Sequence, residues 1–292
     1  MFELLVYKPL AWILIQIYAL VQNYGLSIIL FTIIIKLLML PLSIKQHKSM
    51  AKMQRVRPLM EYLQKKYKDD QQRLQQETMK LYKEEGVSPA GGCLPLLIQL
   101  PILIGLYQVI NRPLTFILQL PKDVIAAMKA ELIDAGITIG GEIDIYRNMG
   151  ELSNKFAEAV AKMTRLDFNL FGIDFSQTPD FMGEITVLWL VPILAAATAY
   201  LSSYVTRKLQ AMPQTEQQAS SMKTMNMMMP MMSAVFCFML PAGVGLYWIM
   251  SNVVQIAQTI LLNKIFSNKN EEEEIDAEQY FKKDRNHRKK HQ

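Results

Sequence analysis

The sequence predicts an all-α fold: a polytopic membrane protein, with a five-helix transmembrane bundle, a cytoplasmic helical hairpin and an N-terminal interfacial helix. Three observations lead there. Apolar stretches of about 20 residues, enough to cross a bilayer core, alternate with strongly charged ones along the 292-residue chain. Lysine and arginine collect in alternate connecting segments, as membrane topology requires. One lysine, Lys36, interrupts an otherwise apolar run from Leu26 to Leu40. The hydrophobic share of 51% does not decide the class, because soluble proteins reach it too. The distribution decides it.

Residues 1–23 read as an interfacial amphipathic helix on the outer side. It begins at Pro9 and carries Gln16, Gln22 and Asn23 on its wetter face. An extra span or an uncleaved anchor is the alternative for this piece. The start lacks a basic n-region and a small-residue cleavage site, so no cleavable signal is expected, and no N-terminal cysteine invites lipidation. The first span is 24–44, stopped by Pro41 and the basic Lys45-Gln46-His47-Lys48.

Residues 45–85 predict a helical hairpin. Leu59, Leu63 and Tyr67 form one apolar stripe, Leu74, Met79, Leu81 and Tyr82 form another, and Lys68-Asp69-Asp70 makes the turn. The second span is 93–112. The loop 113–184 predicts two short amphipathic helices near 122–135 and 151–164. The third span is 185–206, followed by a loop over 207–222. The fourth and fifth spans, 223–240 and 243–265, are joined by Pro241-Ala242-Gly243, which has room only for a tight turn. The charged tail, 266–292, predicts disorder.

Orientation follows from the basic residues. The segment between the first two spans carries Lys45, Lys48, Lys52, Arg55, Arg57 and more, whereas the segment before the first span carries only Lys8. That places the hairpin and the tail in the cytoplasm and the N-terminus outside. Arg207, Lys208 and Lys223 beside the 207–222 loop agree.

Enzyme signatures are missing: no phosphate-binding glycine loop, no His-Glu-x-x-His and no Gly-x-Ser-x-Gly. No Asp, Glu or His lies within the core of a predicted span, which argues against a proton-coupled transporter and an intramembrane aspartyl protease. Cys93 and Cys237 lie in apolar runs and read as small buried hydrophobes. No catalytic residue, metal site or cofactor is expected.

The polar groups inside the spans are the candidate site. A charge at the bilayer centre costs roughly 2.5–3.5 kcal/mol on insertion scales, so Lys36 needs water or a partner. It stands one turn from Thr32. Eight residues of helix, or ~12 Å, separate it from the predicted cytoplasmic end, which is far for a lysine to snorkel. Gln99 lies in the second span, and Asn252, Gln255 and Gln258 fall near one face of the fifth. If these faces converge they line a hydrated groove open to the cytoplasm. The competing reading has Lys36 held by Gln99 and backbone carbonyls as structural glue. Met227, Met228 and Met231 belong to a methionine-rich run suited to varied apolar partners, or to plain lipid-facing packing. Tyr247 and Trp248 read as an interfacial belt, or as a stacking surface for a passing helix.

Two stretches carry a family resemblance. One runs Ser88-Pro89-Ala90-Gly91-Gly92-Cys93-Leu94-Pro95-Leu96-Leu97-Ile98-Gln99-Leu100-Pro101-Ile102. The other runs from Met229-Pro230 to Phe236 and continues Pro241-Ala242-Gly243-Val244-Gly245-Leu246-Tyr247-Trp248-Ile249-Met250-Ser251-Asn252, with Gln258 following. Both closely resemble the YidC/Oxa1/Alb3 membrane protein insertases. The likeness extends over about 20–265 and includes Phe171-Gly172-Ile173-Asp174-Phe175-Ser176. It implies a hydrophilic groove, open to the cytoplasm and to lipid and closed outside, with a positive residue on the first span at the place of Lys36. The family more often has arginine there, so a point charge replaces a planar fork. Without the large outer β-domain or the lipoprotein start of other members, the chain looks like a short bacterial form.

The expected function is therefore that of a membrane protein insertase and chaperone in the bacterial plasma membrane. It would receive hydrophobic segments of nascent proteins in the groove and release them into lipid. Its expected partners are nascent membrane proteins and the bilayer, with the ribosome and a Sec translocon as candidates and no small-molecule substrate. Two alternatives stay open: an assembly chaperone acting only with a Sec-type translocon, and a small solute channel or transporter.

Overall fold

Proline, glycine and short polar clusters punctuate the chain, and helices fill the intervals. The computed structural model describes residues 8–87, 94–209, 228, 230–267 and 280, with the backbone alone for 94–100. Most of the 207–222 loop, the start of the fourth span, the Ser88–Cys93 part of the first motif and all of the tail except Phe266, Ser267 and Tyr280 lie outside the described residues.

The helices are α1 (Lys8–Val21), α2 (Tyr24–Leu38), α3 (Leu40–Arg55), α4 (Arg57–Lys66), α5 (Gln71–Glu84) and α6 (Leu94–Asn111), then α7 (Pro113–Phe116), α8 (Lys122–Asp134), α9 (Glu142–Arg147) and α10 (Ala157–Met163), and finally α11 (Leu190–Leu209), α12 (Pro230–Met239) and α13 (Ala242–Ser267). Two short strands, β1 (Asn169–Leu170) and β2 (Ile173–Asp174), pair antiparallel with Leu170 opposite Ile173. Among the described residues, Val187–Leu209 and Ala242–Phe266 are each long and apolar enough to cross a membrane. Tyr24–Leu38 and Leu40–Arg55 make a third if the broken pair is one span.

The first predicted span differs from a single helix over 24–44. It breaks at Met39, because Pro41 opens α3, where its missing N–H is no loss, whereas inside a continuous helix that N–H would be needed. The 113–184 segment holds more structure than two helices. α8 and α10 lie where helices were expected, but α7, α9 and the β1–β2 hairpin were not foreseen. Phe171 and Gly172 both have positive φ, 53° and 78°, the two-residue turn that suits the twist of paired strands.

The chain divides into two compact units. The first comprises residues 1–38, 97–199 and 230–253. Its core forms where α1 packs on α2 and α2 on β1. Leu14, Tyr24, Ile28, Phe31, Leu106 and Ile110 are fully or almost fully buried there. Asn23 ties the entry of α2 to the segment before β1. Its Nδ2 donates to Asp167 Oδ2 and Asn169 O, both at 2.8 Å, while its Oδ1 accepts from Leu26 N at 2.9 Å as an N-cap. The Tyr24 hydroxyl donates to Ile110 O at 3.0 Å. Gly243 N donates to Phe175 O at 3.0 Å, fixing the start of α13 against the residue after β2.

The second unit comprises residues 39–96, 200–229 and 254–292. α4 and α5 pack on one another through Val56, Leu59, Met60, Leu63, Leu74 and Leu81. Asp70 caps α5 by accepting from Arg73 N at 2.9 Å, so the turn falls where Lys68-Asp69-Asp70 predicts it. Met79, expected in the apolar stripe, is exposed. It lies five residues from Leu74, well off the face that Leu74 and Leu81 share at a spacing of seven. Tyr67 and Tyr82 are partly buried against the cluster, and burial raises the Tyr82 phenol above its ordinary value. Tyr280 packs there too, and its hydroxyl donates to Glu85 Oε1 at 2.6 Å.

Candidate functional site

The polar residues singled out in the apolar runs fall into both units. Lys36, Thr32, Asn252, Tyr247 and Trp248 belong to the first, and Gln255 and Gln258 to the second. The Gln99 side chain and Met227 lie outside the described residues.

α2 is apolar along nearly its whole length, and Lys36 is its one basic residue. Lys36 is half-buried and stands two residues before the helix ends at Leu38. The break at Met39 thus shortens the eight-residue separation expected from a continuous span. In the last turn an ammonium also complements the partial negative charge of the terminal carbonyls. Thr32, fully buried one turn earlier, donates its hydroxyl to Ile28 O at 2.7 Å. Its hydroxyl hydrogen is therefore committed to its own helix.

Asn252 is half-buried on α13, and its Nδ2 donates to Thr198 Oγ1 on α11 at 3.3 Å. Thr198 in turn donates to Leu194 O at 2.7 Å. This threonine is a polar partner that the sequence reading missed. Gln255 Nε2 donates to Thr259 Oγ1 at 3.4 Å, one turn along α13, and Gln258 is buried. Tyr247 is buried at 3% exposure, which places it in the packed interior rather than in an exposed belt. Trp248 is half-buried and stacks on Phe236 of α12, with centroids 6.1 Å apart. Met228 and Met231 are exposed, as are Met232, Val235 and Met239 of α12. Flexible thioethers at such positions adapt to apolar neighbours of varied shape.

Among the described residues no group of three His, Cys, Asp or Glu side chains gathers to hold a metal. What is set into these helices are the cation Lys36 on α2 and the amides and hydroxyls of α2, α11 and α13. Apolar helices of crossing length with such groups set into them define a helical membrane protein.

A family model described as 60Kd inner membrane protein matches residues 16–270. A relative named membrane protein insertase YidC 2, from Listeria innocua, is 36% identical over 276 residues, covering 93% of this chain and 75% of the relative. One named membrane protein insertase YidC, from Clostridium perfringens, is 33% identical over 272 residues, or 91% and 88% of the two chains. Another, membrane protein insertase MisCA of Bacillus subtilis, is 36% identical over 245 residues, or 82% and 70%. The chain belongs to the 60Kd inner membrane protein family, the YidC/Oxa1 family of insertases.

Proposed function

We propose that this membrane protein insertase, multi-pass in the bacterial plasma membrane, works through a hydrophilic groove. Lys36, Thr32 and Asn252 line it, and it opens to the cytoplasm. The observation that carries the reading is Lys36 itself, a half-buried cation in an otherwise apolar helix. The resemblance in the two motifs and the family membership support the same reading.

A nascent client with a hydrophobic segment and a short acidic tail approaches from the cytoplasm. Lys36 and the Asn252 amide receive the tail, lowering the cost of placing it part-way across. The apolar segment then moves into lipid, and the exposed methionines Met228 and Met231, with Met227, adapt to its shape. Trp248 and, after local displacement, Tyr247 offer stacking faces. Hydrophobic partition drives the step, and the membrane potential adds up to ~2.3 kcal/mol per negative charge per 100 mV for a full crossing. The mechanism calls for no nucleotide and no cofactor.

In this reading α2 with the start of α3, α6, α11, α12 and α13 are the five spans, and α1 lies in the outer interface. α4 and α5 form a cytoplasmic hairpin whose lysines and arginines, with those of the tail, offer a surface to ribosomal RNA. A Sec translocon is a further partner.

The test is insertion by purified protein in vesicles, with single-span clients whose outer tails are acidic or neutral. Lys36→Glu abolishes insertion of the acidic-tailed clients and Lys36→Arg preserves it. Full activity of Lys36→Glu on several acidic-tailed clients would remove the charge from the mechanism. Insertion without any translocon separates an autonomous insertase from an assembly chaperone, and the absence of ion flux separates it from a channel.

A further inference from the structure

A cavity of about 620 Å³ opens in the first unit between α1, α7 and α8, and none of its lining residues is assigned to the groove. Its lining is amphipathic. Lys8, Arg112 and Lys122 supply three cations, all exposed, while Trp12, Ile15 and Phe116 supply apolar wall. The one carboxylate there, Glu142, is engaged by Thr115, whose backbone N–H donates to Oε2 at 2.8 Å and whose hydroxyl donates to Oε1. Among the described residues no ion pair joins Lys8, Arg112 or Lys122 to a carboxylate. The cavity therefore carries surplus positive charge beside an apolar surface. Lys122 also opens α8, adding the positive end of a 13-residue helix.

Free phosphate would use the cations and leave the apolar wall idle. A phospholipid uses both, its phosphate among the basic groups and its glycerol and upper acyl chain against Trp12 and Ile15. Trp12 is 63% exposed on a helix whose opposite face is buried, as in helices that lie in a bilayer interface.

We propose that this cavity binds the headgroup of an anionic phospholipid in the outer leaflet and so fixes α1 at the interface. The leaflet rests on the topology proposed above; the chemistry rests on the cavity. A cation near an anionic lipid surface contributes roughly fivefold to partition.

The test uses the full chain with Trp189→Phe and Trp248→Phe, leaving Trp12 as the reporter, in vesicles of phosphatidylcholine and phosphatidylglycerol. Bromine is carried on the chains of one lipid or the other. Brominated phosphatidylglycerol quenches Trp12 several-fold more than brominated phosphatidylcholine at equal mole fraction. Lys8→Gln, Arg112→Gln and Lys122→Gln together erase that preference while the helical circular dichroism is unchanged. The charge-matched control, Lys129→Gln, Arg147→Gln and Lys162→Gln together, keeps it.

Equal quenching by the two lipids overturns the proposal. So does a preference that survives in the triple variant or disappears in the control. A Trp12 response to inorganic phosphate in pure phosphatidylcholine, without preference for anionic lipid, assigns the cavity to free phosphate instead. The insertion assay on Lys36→Glu is read separately. Equal quenching of Trp12 by the two lipids, with Lys36-dependent insertion intact, sinks only this inference, and a clear lipid preference with full activity of Lys36→Glu sinks only the groove.

Discussion

Gly245 and Lys36 mark two kinds of information a single residue carries. A Cβ at Gly245 would collide with Val191 Cγ1 and lie 3.2 Å from Cys237 Sγ. Val191 is β-branched and almost fully buried, so it has little freedom to give way. Gly245→Ala should therefore destabilise the protein by about 1–3 kcal/mol, as overpacking does, measured as a lowered midpoint in detergent-solubilised thermal unfolding. An unchanged midpoint would mean that α11 and α13 do not approach so closely. The need for glycine here was not legible in the sequence, because the atoms it must avoid lie on other elements. Lys36 and Asn252 were legible, since a charge or amide inside an apolar run stands out. Thr198 was not, because a threonine in an apolar helix ordinarily bonds its own backbone, as this one also does.

Among elements, the helices with strong apolar runs or stripes were readable, and so was the Asp70-capped turn between α4 and α5. Breaks and short pieces were harder. Pro41 was read as the stop of the first span, yet the helix ends before it and restarts with proline in the first turn. The β1–β2 hairpin was missed because its strands are two residues each, and Phe171 occupies a positive-φ position that normally takes asparagine or glycine.

α8 and the segment after α9 also hold a pH-sensitive tie. Glu131 of α8 accepts from Ser153 N at 2.6 Å and pairs with Lys155 Nζ at 2.6 Å. The hydrogen bond from Lys155 and then that from Ser153 N hold its carboxyl below the ordinary value. A lowered folded value means that the tie stabilises fully above the ordinary glutamate range, near 4.3, and fades as pH falls through the lowered folded value. Thermal midpoints of the protein and of Glu131→Gln should therefore differ at neutral pH and converge in acid. A constant gap down to acid pH would contradict the tie. Glu131 is half-buried but its partner Lys155 is exposed to solvent, so the difference is small.

For the whole molecule, the family and the membrane class were legible because motif spacing and hydropathy patterning are properties of the chain alone. The tie between Asn252 and Thr198 was not, since it depends on how distant segments fold together. The proposed topology makes a direct prediction at this scale. Gln76 on α5 and Ala127 on α8 are both exposed. With the native Cys93 and Cys237 replaced, Ala127→Cys should react with a membrane-impermeant maleimide in intact cells, and Gln76→Cys only after lysis. The reverse pattern would invert the orientation.

In the proposed mechanism a client's polar segment passes beside Lys36 on its way into lipid. A photoreactive side chain at residue 36, facing a ribosome-stalled nascent chain in native membranes, tests it most directly. Crosslinks to the client's tail are expected at short chain lengths, giving way to lipid as the client lengthens. Client crosslinks confined to the lipid-exposed face of α12, with none from residue 36 at any length, would contradict it.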